Sequence, residues 1–350
     1  MTIHGARPKP TIKDIARLAD ASPSTVSAVL SGTWQARRIS EATAERIRLV
    51  AGEQGFSVNR QARGLRRGRS DMVGLILPMY DNRFFALTAQ SFEAEARGRG
   101  LFPVVVSTLR NPAEEVRTAE RLVSYGIDSM LIAGATEPAA VGAVCRSAGV
   151  RHVYLDLPGP DGPSVVSDNY SGARFLTEAL LDRMTPGEGP RGRPYFLGGS
   201  PADWATARRI AGFRDAVIGR LGRVEADQIL PCGYAPARAR EQMALLREKL
   251  GGLPAALFIN SLTVFQGVLT QIVTLPASEV EASVIGSYDH DPVASFLTFP
   301  VHMVRQNSEA LVARGFELIE QGVDEPVVIE IEPELVPPRS VHASPFEDLG

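Results

Sequence analysis

Residues 11–32 read TIKDIARLADASPSTVSAVLSG, and this stretch predicts two short helices joined by a tight turn. Apolar residues recur from Ile12 to Ala19 at i, i+3, i+4 and i+7, which is the spacing of one helical face. Thr11 stands where a helix cap belongs, and Asp14 follows three residues later as in a capping box. Helices this short are not stable alone, so they must pack against another element.

The second helix begins at Ser22, a favoured capping residue, with Pro23 at the first helical position, where its missing N–H does no harm. Its apolar face runs from Val26 to Leu30, and Gly32 follows as a stop. A third helix is predicted over residues 40–55. Three small helices of this kind are the arrangement that places one helix in the major groove of DNA.

Four hydroxyl side chains crowd the start of the second helix: Ser22, Ser24, Thr25 and Ser27. Short hydroxyls and the free N–H groups of a helix N-terminus suit phosphate oxygens. For Ser22 alone, an ordinary capping role is an equally good interpretation. The cluster as a whole, with Thr11 at the start of the first helix, favours DNA binding.

Charge is divided unevenly along the chain. Residues 1–70 hold 13 Lys and Arg against 5 Asp and Glu, a net charge of +8, so the remainder carries −11 of the total of −3. A basic head on an acidic body indicates a nucleic-acid reader, whereas a DNA-compaction protein would be basic throughout. Residues 60–70 hold five arginines and, taken alone, are typical of a solvated linker.

The length of 350 residues predicts two or three domains. Cys145 and Cys232 lie in different segments, which argues against a disulfide framework or a zinc site and favours a reducing cytoplasm. The sequence has no apolar run long enough to cross a membrane. Residues 1–10 lack the apolar core of an export signal and are expected to be a loose tail. No cofactor or metal is expected.

From Met72 onward, apolar strands alternate with amphipathic helices, which predicts parallel sheets with right-handed crossovers. A second unit of the same kind begins near Asn169. Two sequential units fit two lobes around a cleft, and ligands of such sheets bind beyond the carboxyl ends of the strands.

The predicted strand ends are rich in Asp, Asn, Arg and aromatic residues, a mixture suited to sugars because planar polar groups bind vicinal hydroxyls and a ring covers the apolar face. For any single residue a turn role is more common. The candidates are Asp81, Asn82, Phe84, Asp156, Trp204, Arg208, Arg209, Asn260, Asp289 and Gln306. Trp204 and Phe84 would cover a sugar ring, although core packing is an equal alternative for both.

Residues 11–32 resemble the amino-terminal signature of the LacI-type bacterial repressors, and residues 57–78, SVNRQARGLRRGRSDMVGLILP, resemble the hinge and first strand of that family. Residues 33–38, TWQARR, and residues 259–268, INSLTVFQGV, are similar to its fructose and sucrose repressor branch. The resemblance implies an all-α helix-turn-helix head (residues 11–56), a hinge helix (57–70) and a two-lobed α/β body like that of periplasmic binding proteins (71–350). Lobe 1 would take residues 71–168 and 307–331, and lobe 2 residues 169–306 and 332–343.

For the head, the resemblance places Pro23, Ser24 and Ala28 at base-reading positions, although none of the three can make a two-pronged contact to a base. Arg37 and Arg38, in the insert after the second helix, are expected to add DNA contacts. In the hinge, Asn59 would cap a helix, Ala62 would let two such helices approach, and Leu65 would wedge into the minor groove. Arg63 of the same segment is also expected to contact DNA.

For the body, the resemblance matches Asp81 and Asn82 to a polar pair after the first strand, and Asp289 to the aspartate of a conserved turn in the family. Arg208 or Arg209 matches the arginine of the family's GGxxxxxxxRxxGF pattern, and Asn260 ends its strand as a polar residue often does there. The fourth strand ends Asp156-Leu157 where many relatives have Asp-Arg, which puts an anionic ligand in doubt.

The expected protein is a sequence-specific transcriptional regulator, a repressor of carbohydrate genes, controlled by a sugar or sugar phosphate. Its expected partners are operator DNA, that effector and a second copy of the chain, since the tail SPFEDLG lacks the leucine heptad of a tetramer.

The alternatives are a solute-binding protein, which would need an export signal, and a sugar-acting enzyme. Neither G-x-x-x-x-G-K-[ST] nor G-x-S-x-G occurs, and the consecutive residues 289–291 cannot all face one metal ion.

Overall fold

A computed structural model describes residues 10–56 and 69–339. The chain divides into two compact units, residues 1–70 and 71–350. Within the described ranges, no helix is long and apolar enough to cross a bilayer.

The first unit, the head, is three helices: α1 (Ile12–Leu18), α2 (Pro23–Leu30) and α3 (Glu41–Glu53). Thr11 and Asp14 form the predicted capping box at α1, and Ser22 and Ser40 cap the other two helices. The three helices bury one small shared core of aliphatic side chains. That common core supplies the stability which helices of 7, 8 and 13 residues lack alone.

The second unit, the body, alternates strands and helices. Its strands are β1 (Met72–Leu77), β2 (Phe102–Ser107), β3 (Ser129–Ala133), β4 (Arg151–Leu155), β5 (Ser164–Ser167), β6 (Pro194–Leu197), β7 (Ile229–Leu230), β8 (Ala256–Ile259), β9 (Val284–Tyr288), β10 (Val301–Arg305), β11 (Val328–Ile331) and β12 (Glu334–Val336). Its helices are α4 (Arg83–Gly98), α5 (Pro112–Ser124), α6 (Pro138–Ser147), α7 (Asn169–Leu181), α8 (Trp204–Leu221), α9 (Pro236–Leu250), α10 (Leu262–Ile272), α11 (Ala277–Glu281) and α12 (Ser308–Gln321).

The strands form two six-stranded sheets, one for each lobe. Lobe 1 has the order β11-β5-β4-β3-β1-β2, and lobe 2 has the order β12-β10-β9-β8-β6-β7. The chain passes between the sheets three times, after β5, after β10 and after β11. Every pairing is parallel except that of β12 with β10, which is antiparallel. The predicted parallel sheets are confirmed, with one antiparallel pair at this edge, because only two residues separate β11 of lobe 1 from β12 of lobe 2 and no helix reverses the chain before β12 begins.

Apolar side chains on both faces of each sheet pack against the flanking helices. In lobe 2, for example, Phe196 of β6 stacks on Phe258 of β8 with ring centroids 4.8 Å apart. The long strand–helix units have the bounds that the sequence predicts to within a few residues. Three strands were not expected as elements, β5, β7 and β10, and the last strand lies at residues 334–336 rather than 336–341.

Candidate functional site

In the head, the hydroxyl cluster at the start of α2 is linked by hydrogen bonds. Ser22 Oγ lies 2.7 Å from Ser24 Oγ and 2.8 Å from Thr25 Oγ1, and it accepts from the Thr25 backbone N–H at 3.1 Å. Ser22, Pro23, Ser24 and Ser27 are all exposed, and Thr25 is partly exposed. This end of α2 thus presents a cluster of exposed hydroxyls, which are groups that can donate to phosphate oxygens.

Two candidate DNA contacts turn out to have structural roles. Ala28 is only 2% exposed, because its side chain lies on the inner side of α2, and it cannot reach a base edge in this conformation. The expectation that Ala28 reads DNA is therefore wrong for the structure as it stands. Thr11 is exposed, but its hydroxyl donates to Asp14 Oδ2 at 2.7 Å within the capping box.

The insert between α2 and α3 is a tight turn that exposes Arg37 and Arg38. Arg38 adopts a left-handed φ of 55°, which an extended connection would not require. Trp34 is half-buried in the same turn, and the Arg48 guanidinium of α3 lies 5.5 Å from its ring centroid. The turn therefore exposes two positively charged side chains, Arg37 and Arg38, on a backbone that the packing of Trp34 holds in place. The hinge candidates Asn59, Ala62, Arg63 and Leu65 lie outside the described residues.

In the body, the polar candidates gather at the carboxyl ends of the strands. Arg209 is 4% exposed, and its guanidinium donates to Asn169 Oδ1 at 2.7 Å and to the Asn260 backbone carbonyl at 2.6 Å. The same guanidinium lies 3.7 Å from the centroid of the Tyr288 ring. A buried cation held this way on three sides is a fixed positive charge.

A second chain of hydrogen bonds continues from Asn260, which is fully buried. Its Nδ2 donates to Thr206 Oγ1 at 3.3 Å, and Thr206 Oγ1 shares a 2.8 Å hydrogen bond with the Tyr234 hydroxyl. Gly199 makes this packing possible: with a φ of +65°, a Cβ there would lie 2.3 Å from Thr206 Oγ1 and 2.4 Å from Asn260 Nδ2.

Two aspartates end corresponding strands in the two lobes, and both have left-handed backbones. Asp156 follows β4 with φ 71°, and Asp289 follows β9 with φ 70°. Asp289 Oδ1 accepts from Gln306 Nε2 at 2.6 Å, and both residues are buried. Burial raises the pKa of Asp156 to about 6, with Asp289 adding to the rise and Arg209 and Arg110 opposing it. These four charges therefore share one electrostatic environment.

Arg110 connects the lobes and was not among the expected residues. It follows β2 of lobe 1, is exposed, and lies 5.9 Å from the ring centroid of Phe85 and 5.8 Å from that of Tyr234 in lobe 2. Applying the strand-end rule to β2 as well would have found it. Asn169, Thr206 and Tyr234 were also missed, although Asn169 opens the helix after β5 and Thr206 lies in the loop-to-helix stretch that contributed Arg209.

The other candidates differ in burial and in structural role. Phe84 is 8% exposed and packs in the lobe 1 core, so the ring-covering role was wrong for it and the core alternative is correct. Asn82 Oδ1 accepts from the Phe84 backbone N–H at 2.9 Å, which makes Asn82 the cap of α4. Asp81 is exposed in the preceding turn, and Trp204 is half-buried at the first position of α8.

Arg208 and Arg209 are neighbours with separate surroundings. Arg208 Nη2 donates to Glu330 Oε1 of β11 at 2.9 Å, and its guanidinium lies 5.6 Å from the Tyr170 ring centroid. It thus joins lobe 2 to lobe 1 beside the crossing strands, whereas Arg209 lies under the strand ends. Of the pair, Arg209 is the one positioned with the other cleft candidates.

A surface groove between α7 and α8 is a different kind of feature. Its polar side chains are already paired with each other: Tyr170 with Asp215, Arg174 with Glu178, and Arg220 with Asp182. The described residues also hold no cluster of three or more His, Cys, Asp or Glu side chains placed to bind a metal. The strand ends remain the candidate ligand site.

Comparison with known proteins identifies related sequences and structures. Residues 11–59 match the family model for bacterial regulatory proteins of the lacI family. The chain is 44% identical over 194 residues to the ribitol operon repressor of Klebsiella aerogenes, which covers 55% of this chain and 72% of that protein.

The chain belongs to the LacI family of bacterial regulatory proteins.

Solved structures of the LacI family have the same fold. The lac repressor dimer bound to operator and the anti-inducer ONPF aligns with a TM-score of 0.78 at 19% identity, over 95% of this chain and 99% of that one. A Cra regulator from Pseudomonas putida in complex with fructose 1-phosphate aligns with a TM-score of 0.66 at 24% identity, over 76% of this chain and 98% of that one. As a LacI-family member, the protein is a DNA-binding transcriptional regulator with a helix-turn-helix head and a two-lobed α/β body.

Proposed function

We propose that this regulator is a dimeric repressor of carbohydrate-utilisation genes, whose affinity for operator DNA is controlled by a sugar, sugar alcohol or sugar phosphate bound between the lobes. The observation that carries the proposal is the linked set of buried polar side chains at the strand ends, in a chain whose head is a DNA reader. The name of the ribitol operon repressor supports the carbohydrate class, as does the sugar phosphate in the Cra complex.

On the DNA side, Ser22, Ser24, Thr25 and Ser27 would bind phosphates at the N-terminus of α2, and Arg37 and Arg38 would bind the backbone nearby. Each phosphate neutralised by the head makes affinity fall more steeply with salt. The hinge residues Asn59, Ala62, Arg63 and Leu65 remain part of the proposal on the family resemblance. In that arrangement Leu65 from each subunit enters the minor groove and kinks the duplex.

On the ligand side, the proposed contacts are Asp156, Arg209, Asn260, Asp289 and Gln306, with Arg110 and Tyr234 added from the geometry. Asp81, Asn82 and Trp204 remain further candidate contacts. A ligand that prefers one angle between the lobes shifts the equilibrium between DNA-binding and released forms. It does so only by its differential affinity for the two forms.

The relatives named above are regulators, which favours a ligand that is bound and released unchanged over one that is converted. A thermal-shift screen of free and phosphorylated monosaccharides, disaccharides and sugar alcohols tests the carbohydrate class, because a tight ligand raises the melting temperature by mass action. Recovery of the ligand intact supports a regulator. Turnover of the ligand, or no stabilisation by any compound, contradicts the proposal.

Leu65→Ala tests the hinge. We expect this variant to bind operator more weakly and to discriminate less against random DNA, with ligand affinity intact. Operator bending that is unchanged in the variant, measured by gel mobility of circularly permuted duplexes, would contradict the wedge role.

A further inference from the structure

The hydrogen-bonding character of the strand ends indicates what kind of ligand they accept. Among the described buried atoms there, the side-chain oxygens Asn260 Oδ1 and Gln306 Oε1 have no hydrogen-bond partner, while the amide nitrogens of both residues are already used within the protein. The buried hydroxyls of Tyr288 and Ser308 are also without a partner, and a hydroxyl can either accept or donate. The bond to the Asp289 carboxylate, which only accepts, fixes the Gln306 amide so that its free atom is an acceptor, whereas the Thr206 hydroxyl can pair with either end of the Asn260 amide.

The two aspartates strengthen this acceptor character. An ionised carboxylate only accepts hydrogen bonds, and Asp289 uses one oxygen for Gln306, leaving further lone pairs on both residues. A ligand that satisfies amide and carboxylate oxygens together must bring donors. Hydroxyl groups do this, and a compound with several hydroxyls along its chain brings several donors at once.

The buried cation of the site is not free to bind a phosphate. Arg209 is committed to Asn169, the Asn260 carbonyl and the Tyr288 ring. Arg110 is exposed, but it lies against two aromatic rings and, with Arg209, offsets the charge of Asp156. Two cations and two carboxylates already balance. A phosphate monoester would add a charge of about −1.5 to −2 and three more acceptor oxygens to a site rich in acceptors.

We propose that the effector is an uncharged polyhydroxylated compound, a free sugar or sugar alcohol, and that the cleft discriminates against its phosphate esters. This inference rests on the proposed function, since it assigns the charge class of the ligand that the body senses. The proposed ligand class differs from the sugar phosphate bound in the Cra structure. That structure is only 24% identical to this chain, so the similarity shows the fold and does not identify the ligand.

Calorimetric titration of the full chain with matched pairs tests the inference directly. The pairs are ribitol with ribitol 5-phosphate, fructose with fructose 1-phosphate, and glucose with glucose 6-phosphate. In the pair that contains the better ligand, we expect the free compound to bind at least tenfold more tightly than its ester. An ester that binds more tightly than its free form overturns the inference while supporting the proposed carbohydrate function. Binding of neither form in any pair, with no stabilisation across the wider screen, overturns both.

The Asp289→Asn variant tests whether the charge of the site causes the preference for the free compound over its ester. The side chain keeps its shape but loses its charge and replaces acceptor capacity with a donor, so we expect the free compound to lose at least tenfold in affinity and the preference over the ester to shrink. Asp182→Asn is the matched control, because Asp182 is exposed and paired with Arg220 on the outer helices, and both affinities should be unchanged. Equal losses for both ligand forms in Asp289→Asn, with the preference ratio unaltered, would contradict the charge argument.

Discussion

The two lobes end their strands in similar residues but hold them differently. In lobe 2, Arg209, Asn260, Asp289 and Gln306 are buried and hydrogen-bonded to neighbours before any ligand arrives. In lobe 1, the corresponding region offers exposed Asp81 and Arg110 and an aspartate, Asp156, with a raised pKa. In the proposed ligand site, lobe 2 would therefore be a preformed half-site, and lobe 1 would supply groups whose environment the ligand completes.

This asymmetry has a physical consequence for affinity. Groups held rigid by protein contacts lose little freedom on binding, so they contribute more of their interaction energy to affinity. Groups that become ordered or change ionisation on binding make affinity depend on conformation and pH. We expect lobe 2 changes to reduce binding and stability together, and lobe 1 changes to alter the response to conditions.

The largest expected effect is that of Arg209→Met. The substitution leaves Asn169 Oδ1 and the Asn260 carbonyl without a donor. It also removes the positive charge that lowers the pKa of Asp156. Unsatisfied buried acceptors cost about 1–3 kcal/mol each, so the two together predict a loss of about 2–6 kcal/mol in the free energy of unfolding. Ligand binding should fall below detection in calorimetry.

Arg208→Met is its neighbour-matched control. The exposed ion pair with Glu330 is worth about 0–1 kcal/mol, so stability should change by no more than that. If urea unfolding gives the two variants the same stability, the description of lobe 2 as a preformed half-site is wrong.

Gly199→Ala tests the same half-site through shape alone. A left-handed φ costs a residue with a Cβ about 1–2 kcal/mol, and here the Cβ also meets Thr206 and Asn260. We expect ligand affinity to drop about tenfold, or about 1.4 kcal/mol, with DNA affinity in the absence of ligand retained.

Gly251→Ala distinguishes the effect of backbone strain from the effect of the Cβ contacts made in Gly199→Ala. Gly251 has a similar φ of +67°, but a Cβ there meets nothing within 4 Å. It should lose comparable backbone stability and keep normal ligand affinity. Equal ligand losses in both alanine variants would show that strain, rather than the Thr206–Asn260 contact, is responsible.

The pH dependence of binding tests lobe 1. Hydroxyl donors bind the ionised form of Asp156, whose pKa of about 6 is set by burial and Asp289 against Arg209 and Arg110. Affinity for a free sugar alcohol should therefore rise with pH and be about tenfold weaker at pH 5 than at pH 7, since only about a tenth of the carboxyl is ionised at pH 5. In Asp156→Asn this dependence should disappear. An affinity that stays constant between pH 5 and pH 7 in the unaltered protein would count against an ionised Asp156 at the ligand.

The smallest effect is expected in the head. Ser22→Ala removes the acceptor that caps α2 at the Thr25 N–H, which costs about 1 kcal/mol of head stability. Ser27→Ala, on the exposed side of α2, should leave stability unchanged and weaken DNA binding, with a shallower dependence of affinity on salt. A fluorescence titration at several salt concentrations distinguishes the two. A salt dependence that is the same in Ser27→Ala would remove Ser27 from the phosphate contacts.

The sequence predicts the scaffold of both units well and the site less completely. Helix caps such as Thr11 and Ser22, and the alternation of apolar strands with helices, are local patterns that directly determine local structure. The strand-end rule located Asp156, Asn260, Asp289 and Gln306, because a parallel sheet brings carboxyl ends together whatever the side chains are.

What the sequence could not supply was the orientation of individual side chains. Ala28 and Phe84 sit in stretches rich in functional candidates, yet helix rotation turns both into the core. Arg208 and Arg209 are adjacent, and only the packing of α8 decides which one is buried. Arg110 contacts Tyr234 across the lobes, a pairing between residues 124 positions apart that no local pattern encodes.

Operator affinity, measured with and without ligand in the same protein, tests the central claim most directly. A fluorescent duplex selected by the protein from a random pool is titrated with unaltered protein and with Asp289→Asn, each with and without the best free sugar or sugar alcohol from the screen. The account predicts that the ligand changes the affinity of the unaltered protein at least fivefold, and that Asp289→Asn binds the duplex normally but no longer responds. A duplex affinity that is the same with and without saturating ligand in the unaltered protein would contradict it.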